Sequence, residues 1–153
     1  MQERLHKRLW DIMAEYGVEP DQINLEITET AASHAQEVMA ENLSKLTQAG
    51  VSFSLDDYGT GYSNIKRVIQ LPLKIIKLDK TFVDEQDNPK MLVVLKNTVA
   101  MLKDMNMEIV VEGIETQEML DFFTELRCDF IQGYFFSKPI PKPEFVSFIK
   151  SWN

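Results

Sequence analysis

Residues 51 to 64, VSFSLDDYGTGYSN, decide the fold of this chain. The first half has the alternation of a β-strand, in which Ser52, Ser54 and Asp56 share one face while apolar side chains share the other. A glycine-rich turn follows and leads into a short helix around residues 65 to 70. A strand that runs into a helix is the unit from which parallel sheets are built.

The same strand-and-helix pattern repeats on both sides of this stretch. Further strands are predicted at residues 23 to 28, 73 to 79, 108 to 114 and 130 to 136. Longer helices are predicted at residues 2 to 16, 34 to 49, 90 to 105, 116 to 126 and 143 to 152. A leading helix and five successive βα units therefore predict a single α/β domain with a parallel sheet over residues 1 to 153.

Every predicted strand has a charged or amide side chain at or near its C-terminal end. These residues are Glu26, Asp56, Lys77, Glu112 and Gln132. Such a side chain in a strand that is buried on both faces costs free energy, so it requires a reason. If the apolar faces pack on helices, the five polar groups converge on one axis. This is the geometry of a (β/α)₈ TIM-type barrel, whose active sites lie at the C-terminal mouth of the strands.

Three carboxylates and a lysine at one mouth favour a divalent-metal site that hydrolyses a phosphate ester. Carboxylates bind Mg²⁺ or Mn²⁺, and a cationic side chain steadies an anionic nucleophile or substrate. A glycosidase acid pair or a Schiff-base lysine fits less well, because each needs fewer carboxylates.

Composition narrows the class of partner. The chain has 153 residues and a formal net charge of -8, which argues against a basic groove for a nucleic-acid polymer. Cys128 is the single cysteine, so an internal disulfide and a thiolate metal cluster are excluded and a cytoplasmic location is expected. The pattern of charges predicts neither a signal peptide nor a membrane span in this segment.

Five segments resemble, in order and spacing, the motifs of the EAL domain phosphodiesterases of bacterial cyclic-di-GMP signalling. They are LEITET (25 to 30), DDYGTGYSN (56 to 64), IKLDKTFV (76 to 83), VVEGIET (110 to 116) and QGYFFSKPIP (132 to 141). The resemblance covers residues 20 to 152. It implies an eight-stranded barrel of which this chain has about the last five βα units. It also implies hydrolysis of cyclic di-GMP to linear pGpG with one or two Mg²⁺ or Mn²⁺ ions.

The resemblance assigns metal ligands among the acidic residues. Glu26 would bind a metal ion, Asp56 would bridge two ions, and Asp57 would bind the second ion. Glu112 stands where the family has a general base or a second-metal ligand, and the sequence leaves both roles open.

The remaining roles implied by the resemblance concern water and substrate. Lys77 would orient the attacking water, with Asp79 nearby. Glu29 would brace the loop from Asp57 to Ser63, which in the family couples the site to a dimer partner. The residues expected to support the loop, the substrate or the metal shell are Glu29, Gly59, Thr60, Gly61, Glu115 and Gln132.

The chain departs from the family pattern at its N-terminal side. The Glu-Ala-Leu motif and an asparagine from an earlier strand, both metal ligands in the family, are missing from these residues. We therefore expect an incomplete barrel that forms a homodimer or takes strands from a partner, with little hydrolysis by the chain alone. The alternative is a catalytically inactive module that binds cyclic di-GMP or serves protein interaction and dimerisation.

Overall fold

Five strands and eight α-helices alternate in the residues that the computed structural model describes, which are 5–33, 37–59, 65–85 and 88–152. The strands are β1 (Asn24–Thr28), β2 (Ser52–Tyr58), β3 (Ile75–Leu78), β4 (Glu108–Val111) and β5 (Phe130–Ile131). The helices are α1 (Leu5–Tyr16), α2 (Glu29–Ser33), α3 (Glu37–Gln48), α4 (Ile65–Gln70), α5 (Lys80–Asp84), α6 (Pro89–Asp104), α7 (Gln117–Glu125) and α8 (Lys142–Ser151). None of these helices is long and apolar enough to cross a membrane.

The strands form one parallel sheet in the order β1-β2-β3-β4-β5. Sequential parallel neighbours need a crossover between them, and helices occupy each connection. The prediction of an α/β fold with five parallel βα units after a leading helix is therefore confirmed.

Apolar side chains of the three central strands lie in a single core with residues of the helices. Phe53, Leu55, Ile76, Leu78, Ile109 and Val111 are all almost completely buried. They belong to the same cluster as Leu95 and Leu102 of α6 and Phe123 of α7. Removing this much apolar surface from water is the main favourable contribution to folding. Because these apolar side chains pack against the helices, the side chains that alternate with them on each strand point away from the helices.

On β1 and β2, the side chains that alternate with the apolar ones are polar. On β1 and β2, the Ser54 hydroxyl donates to Asn24 Oδ1 at 2.8 Å, and the Asn24 side chain donates to Ser52 Oγ at 3.1 Å. Ser54 is buried, so its hydrogen bond offsets the cost of removing the hydroxyl from water. The polar face leads along the strands towards Glu26 and Asp56.

Side chains in the loops explain where several helices begin. Asn88 accepts from the Lys90 amide at 3.1 Å at the start of α6, which has Pro89 in its first turn. Thr116 accepts from the Met119 amide at 3.2 Å at the start of α7. Gly50, predicted to end the second long helix, has a φ of 110° directly after α3, a conformation that favours glycine.

Two predicted strands end at least three residues earlier in the structure than in the sequence pattern. The strand predicted at residues 108 to 114 ends at Val111, and the one predicted at 130 to 136 ends at Ile131. The backbone near Gly133 turns to approach Ile114, and the Phe135 amide donates to the Ile114 carbonyl at 3.0 Å. A Cβ atom on Gly133 would lie 1.9 Å from that carbonyl oxygen, so this close approach requires glycine. The chain therefore turns after β5 and does not continue as a strand.

Within the described residues the sheet has two edges, β1 and β5, each paired on one side. Several large apolar side chains near β5 and on α8 are about half exposed or more. They are Phe130, Tyr134, Phe145, Ile149 and Trp152. Phe145 and Ile149 are four residues apart on α8 and so lie on one helix face, which is partly uncovered. Open edges and exposed apolar surface fit the expected incomplete barrel.

Candidate active site

Four adjacent strands bring one charged side chain each to a common point beyond the sheet. Glu26 lies on β1, Asp56 on β2 and Lys77 on β3, and Glu112 follows β4 directly. The Lys77 ammonium contacts all three carboxylates. Its Nζ atom lies 2.7 Å from Asp56 Oδ1, 2.9 Å from Glu112 Oε1 and 3.0 Å from Glu26 Oε1.

Lys77 is buried, with a side chain that is 11% exposed. Burial by itself would lower the pKa of Lys77, but the hydrogen bonds that its ammonium donates to Asp56, Glu112 and Glu26 outweigh this effect and raise that pKa above its ordinary value. Lys77 is therefore protonated throughout the physiological pH range. Because the folded pKa is the higher one, the stability from these contacts is present below the ordinary lysine pKa and is lost only as pH rises through the raised value.

Asp57 reaches the same site through an irregular backbone. Simple alternation along β2 would send Asp57 to the face opposite Asp56. The register of β2 against β3 shifts between Leu55 and Tyr58, and Asp57 has a left-handed φ of 58°. Aspartate tolerates this conformation better than most residues, and such irregularities redirect side chains. Two consecutive carboxylates can then serve one site.

Asp56, Asp57 and Glu112 each offer a carboxylate oxygen, and these oxygens lie within 4.8 Å of one another. All three residues are partly buried. Hard divalent cations such as Mg²⁺, Mn²⁺ and Ca²⁺ prefer oxygen ligands, so this donor set fits such an ion. Among the described residues this is the one group of three or more acidic, histidine or cysteine side chains with that spacing.

Glu26 does not belong to that group of three. Its side chain is 53% exposed and contacts Lys77. The metal ligands expected from the sequence were Glu26, Asp56 and Asp57, whereas the carboxylates that lie closest together are those of Asp56, Asp57 and Glu112.

The loop after β2 is held at its beginning by α2 and α5. The Gly59 amide donates a long hydrogen bond of 3.4 Å to Glu29 Oε2. Glu29 thus contacts the loop that it is expected to brace. Gly59 has a φ of 108°, and a Cβ atom there would lie 2.0 Å from the Phe82 ring. Burial, and then the negative charge of Glu29, raise the pKa of Tyr58. Thr60, Gly61 and Ser63 lie outside the described residues.

Asp79 has a structural contact that the sequence did not predict. Its carboxylate accepts from the Thr81 amide at 2.9 Å and so caps the N-terminus of α5. Helix α5 was not predicted from the sequence pattern, although an aspartate two residues before Thr81 is a typical capping signal.

A cleft of about 590 Å³ opens beside Glu112. Two other residues expected at the site, Glu115 and Gln132, line it. The cleft is also lined by residues for which the sequence predicted no role, among them Lys80, Tyr134, Lys138, Phe145 and Phe148. Glu112 also belongs to the metal-ligand group of Asp56, Asp57 and Glu112. Aromatic surface and two lysines next to that group suit an anionic ligand with flat rings.

Lys80 and Glu115 form an ion pair at this cleft, with Nζ and Oε1 2.7 Å apart. The hydrogen bond to Glu115 raises the pKa of Lys80, and the same contact lowers the pKa of Glu115. Gly113 permits the close approach, since a Cβ atom there would lie 2.6 Å from Lys80 Cγ. Both side chains are half exposed, so the pair contributes more to positioning than to stability.

Comparison with known proteins identifies relatives along almost the whole chain. A family model described as EAL domain matches residues 1–139. The cyclic di-GMP phosphodiesterase RocR of Pseudomonas aeruginosa is 35% identical over 138 residues, which are 90% of this chain and 35% of RocR.

Solved structures show the same fold. The phosphodiesterase PaMucR in complex with c-di-GMP is 30% identical and superposes with a TM-score of 0.86 over 94% of this chain and 59% of that chain. BlrP1 of Klebsiella pneumoniae, solved with manganese and cy-diGMP, is 28% identical with a TM-score of 0.79, over 87% of this chain and 34% of that one.

The chain thus spans about a third of RocR and less than two thirds of PaMucR. The family model nevertheless covers most of the chain, including all five described strands. This chain belongs to the EAL domain family.

Proposed function

We propose that this chain carries part of the active site of a phosphodiesterase that hydrolyses cyclic di-GMP to linear pGpG with a divalent cation. The observation that supports this most directly is the meeting of Asp56, Asp57 and Glu112 next to the Lys77 ammonium. Relatives that are named cyclic di-GMP phosphodiesterase or were solved with c-di-GMP support the choice of substrate.

Asp56, Asp57 and Glu112 would hold the cation, which we propose to be one or two Mg²⁺ or Mn²⁺ ions. Manganese in the BlrP1 structure supports a divalent ion of this kind. A bound divalent cation supplies Lewis acidity and lowers the pKa of a coordinated water. Of the two roles open to Glu112, its position among the three carboxylates favours that of a metal ligand. Glu26 joins the shell from its exposed position near Lys77.

Lys77 supplies a permanent positive charge at the same point. It would hold the attacking water or a phosphate oxygen, because its ammonium has hydrogen-bond donors and lies among carboxylates that fix its position. Asp79 acts through the backbone by capping α5, so we propose a positioning role for it.

The cleft next to Glu112 would receive part of the dinucleotide. Gln132 and the Lys80–Glu115 pair provide hydrogen-bonding groups there. Glu29 and Gly59 would set the start of the loop that also includes Thr60 and Gly61. The family resemblance implies these assignments except that of Lys80, which rests on its contact with Glu115 at the cleft.

We further propose that residues 1–153 belong to one domain, that the chain acts in the cytoplasm, and that a second copy or a strand-supplying partner covers the sheet edges. The single apolar core supports the first point. The exposed apolar residues near β5 and on α8 support the third, because contiguous apolar surface of this kind marks interfaces. Light scattering during gel filtration tests the partner: a mass twice the 17.7 kDa of the chain is expected for a homodimer.

The activity is tested by incubating the purified chain with cyclic di-GMP and Mn²⁺ and separating the products by chromatography. We expect slow formation of pGpG, because the sheet edges are open. Asp56→Ala removes a carboxylate that contacts Lys77 and belongs to the metal-ligand group, so we expect no detectable pGpG. Asp104→Ala, which removes an exposed aspartate at the end of α6, is the matched control and should behave like the unchanged chain.

Equal pGpG formation by Asp56→Ala and Asp104→Ala would contradict the proposed site. A second candidate function is a module that binds cyclic di-GMP without turnover, which the two open sheet edges favour. Binding measured by calorimetry in the absence of any pGpG formation in Mn²⁺ or Mg²⁺ would select this second candidate.

A further inference from the structure

The strongest unexplained feature of the site is that one lysine contacts most of the carboxylates that would bind a metal ion. Asp56 and Glu112 are shared: both contact Lys77 Nζ, and both belong to the group of three with Asp57. An ammonium has three N–H donors, and Lys77 directs them at three carboxylates. The Lys77 ammonium is thus surrounded by carboxylate oxygens in the way that a small bound cation would be.

The charges at this site are unequal in number. Lys77 offers one positive charge to the three carboxylates of Glu26, Asp56 and Glu112. Asp56 and Glu112 are only about one fifth exposed, so water and salt screen their mutual repulsion incompletely. Among the described residues, Lys77 is the cation that is seen to contact these three groups.

We propose that Lys77 is a built-in counter-ion that holds the Asp56 and Glu112 carboxylates in place before metal binds and then opposes the divalent cation electrostatically. The proposal rests on the proposed metal site and goes beyond it, because it assigns Lys77 a second role that is independent of turnover. Each carboxylate has two oxygen atoms, so Lys77 and a metal ion can contact the same residue. Their like charges nevertheless weaken the binding of the divalent ion.

Lys77 would therefore have two opposite effects: it raises the stability of the metal-free fold and lowers the affinity of the site for the metal ion. Lys77 stabilises the metal-free fold, because removing one partner of a buried ion pair leaves uncompensated charge. It also lowers the metal affinity to a level at which the ion can leave. A purely structural lysine would affect the first property and not the second.

The test compares Lys77→Met with the unchanged chain by thermal unfolding in EDTA and in Mn²⁺, and by calorimetric titration with Mn²⁺. Methionine has a similar length and no charge. We expect a lower melting temperature in EDTA, a larger upward shift on adding Mn²⁺, and roughly tenfold tighter Mn²⁺ binding. These readouts do not require hydrolysis.

Lys74→Met is the matched control, since it removes the same charge three residues earlier. Lys74 pairs with Glu108 at 3.2 Å and its side chain is 60% exposed, away from the metal-ligand group. The control should leave both the Mn²⁺ affinity and the Mn²⁺-induced shift unchanged. Lys77→Arg, which keeps the charge, should retain the affinity of the unchanged chain.

Three results would overturn the inference. If the unchanged chain binds Mn²⁺ and Lys77→Met binds it equally or more weakly, the inference fails while the proposed metal site stands. If neither binds Mn²⁺, both fail. A Lys77→Met chain that folds only with Mn²⁺ supports the inference, because the metal then supplies the missing charge, whereas one that stays unfolded in saturating Mn²⁺ contradicts it.

Discussion

The two ends of the parallel sheet both carry lysine–carboxylate contacts, but only one end balances its charges. At the N-terminal end the contacts are one to one: Lys74 with Glu108, and Lys103 with Asp129. At the C-terminal end Lys80 and Glu115 form one further pair, but Lys77 contacts three carboxylates.

This difference separates groups that serve the fold from groups that serve a ligand. Asp129 has Lys103 as its ionic partner and also accepts from the Ile109 amide at 2.7 Å, so the start of β4 is tied to the start of β5. The cluster around Lys77 has more acceptors than its cation can neutralise. Excess like charge that is retained at the mouth of a sheet is expected where function, and not stability, determines the residues.

The largest effect on stability is expected from Asp129→Ala. The change leaves the amide of the buried Ile109 without its acceptor and removes the partner of Lys103, so the free energy of unfolding should fall by about 2 kcal/mol. Urea denaturation measures it, and Asp104→Ala provides the control. A loss no larger than that of the control would break the comparison, because the balanced end would then contribute nothing to the fold.

A smaller effect is expected from Asp57→Asn at the unbalanced end, and it concerns metal binding. Asparagine tolerates the left-handed backbone of residue 57, and the change removes one of the three carboxylates that lie within 4.8 Å of each other. Thermal unfolding with and without Mn²⁺ should show an Mn²⁺-induced stabilisation that is about 1 kcal/mol smaller than in the unchanged chain. An unchanged Mn²⁺-induced stabilisation would mean that this end of the sheet does not hold a cation through Asp57.

The smallest effect concerns acid pH. Burial would raise the pKa of Asp129, but the contacts with Lys103 and the Ile109 amide lower it below its ordinary value of 3.8. The associated stability is therefore present above the ordinary pKa and is lost as pH falls through the lowered value. Between pH 5 and pH 3, Asp129→Asn should lose a few tenths of a kcal/mol less stability than the unchanged chain. Parallel curves of stability against pH would contradict the assignment.

The sequence predicted five successive parallel strands and the convergence of Glu26, Asp56, Lys77, Glu112 and Gln132, because both depend on local periodicity. Side chains alternate along a strand, and parallel strands end at the same edge, so polar residues near strand ends approach one another. The metal ligands, the catalytic roles and the substrate contacts stay predictions, since geometry alone does not test them.

Other features of the site could not be read from periodicity. Asp57 joins Asp56 through a register shift and a left-handed φ, neither of which a period of two predicts. Asp79 is drawn into capping α5. Phe145 and Phe148 line a cleft with Glu112 although they lie on the last helix, far away in sequence.

The sequence by itself determined the alternation of strands and helices, the apolar face of the sheet and the rim on which its charged residues stand. Tertiary structure decided which of those charges meet, because the distance between side chains on different strands depends on register and backbone irregularity. Local propensity contains neither of these quantities. The sharing of Asp56 and Glu112 between Lys77 and a cation site is therefore visible only in the folded chain.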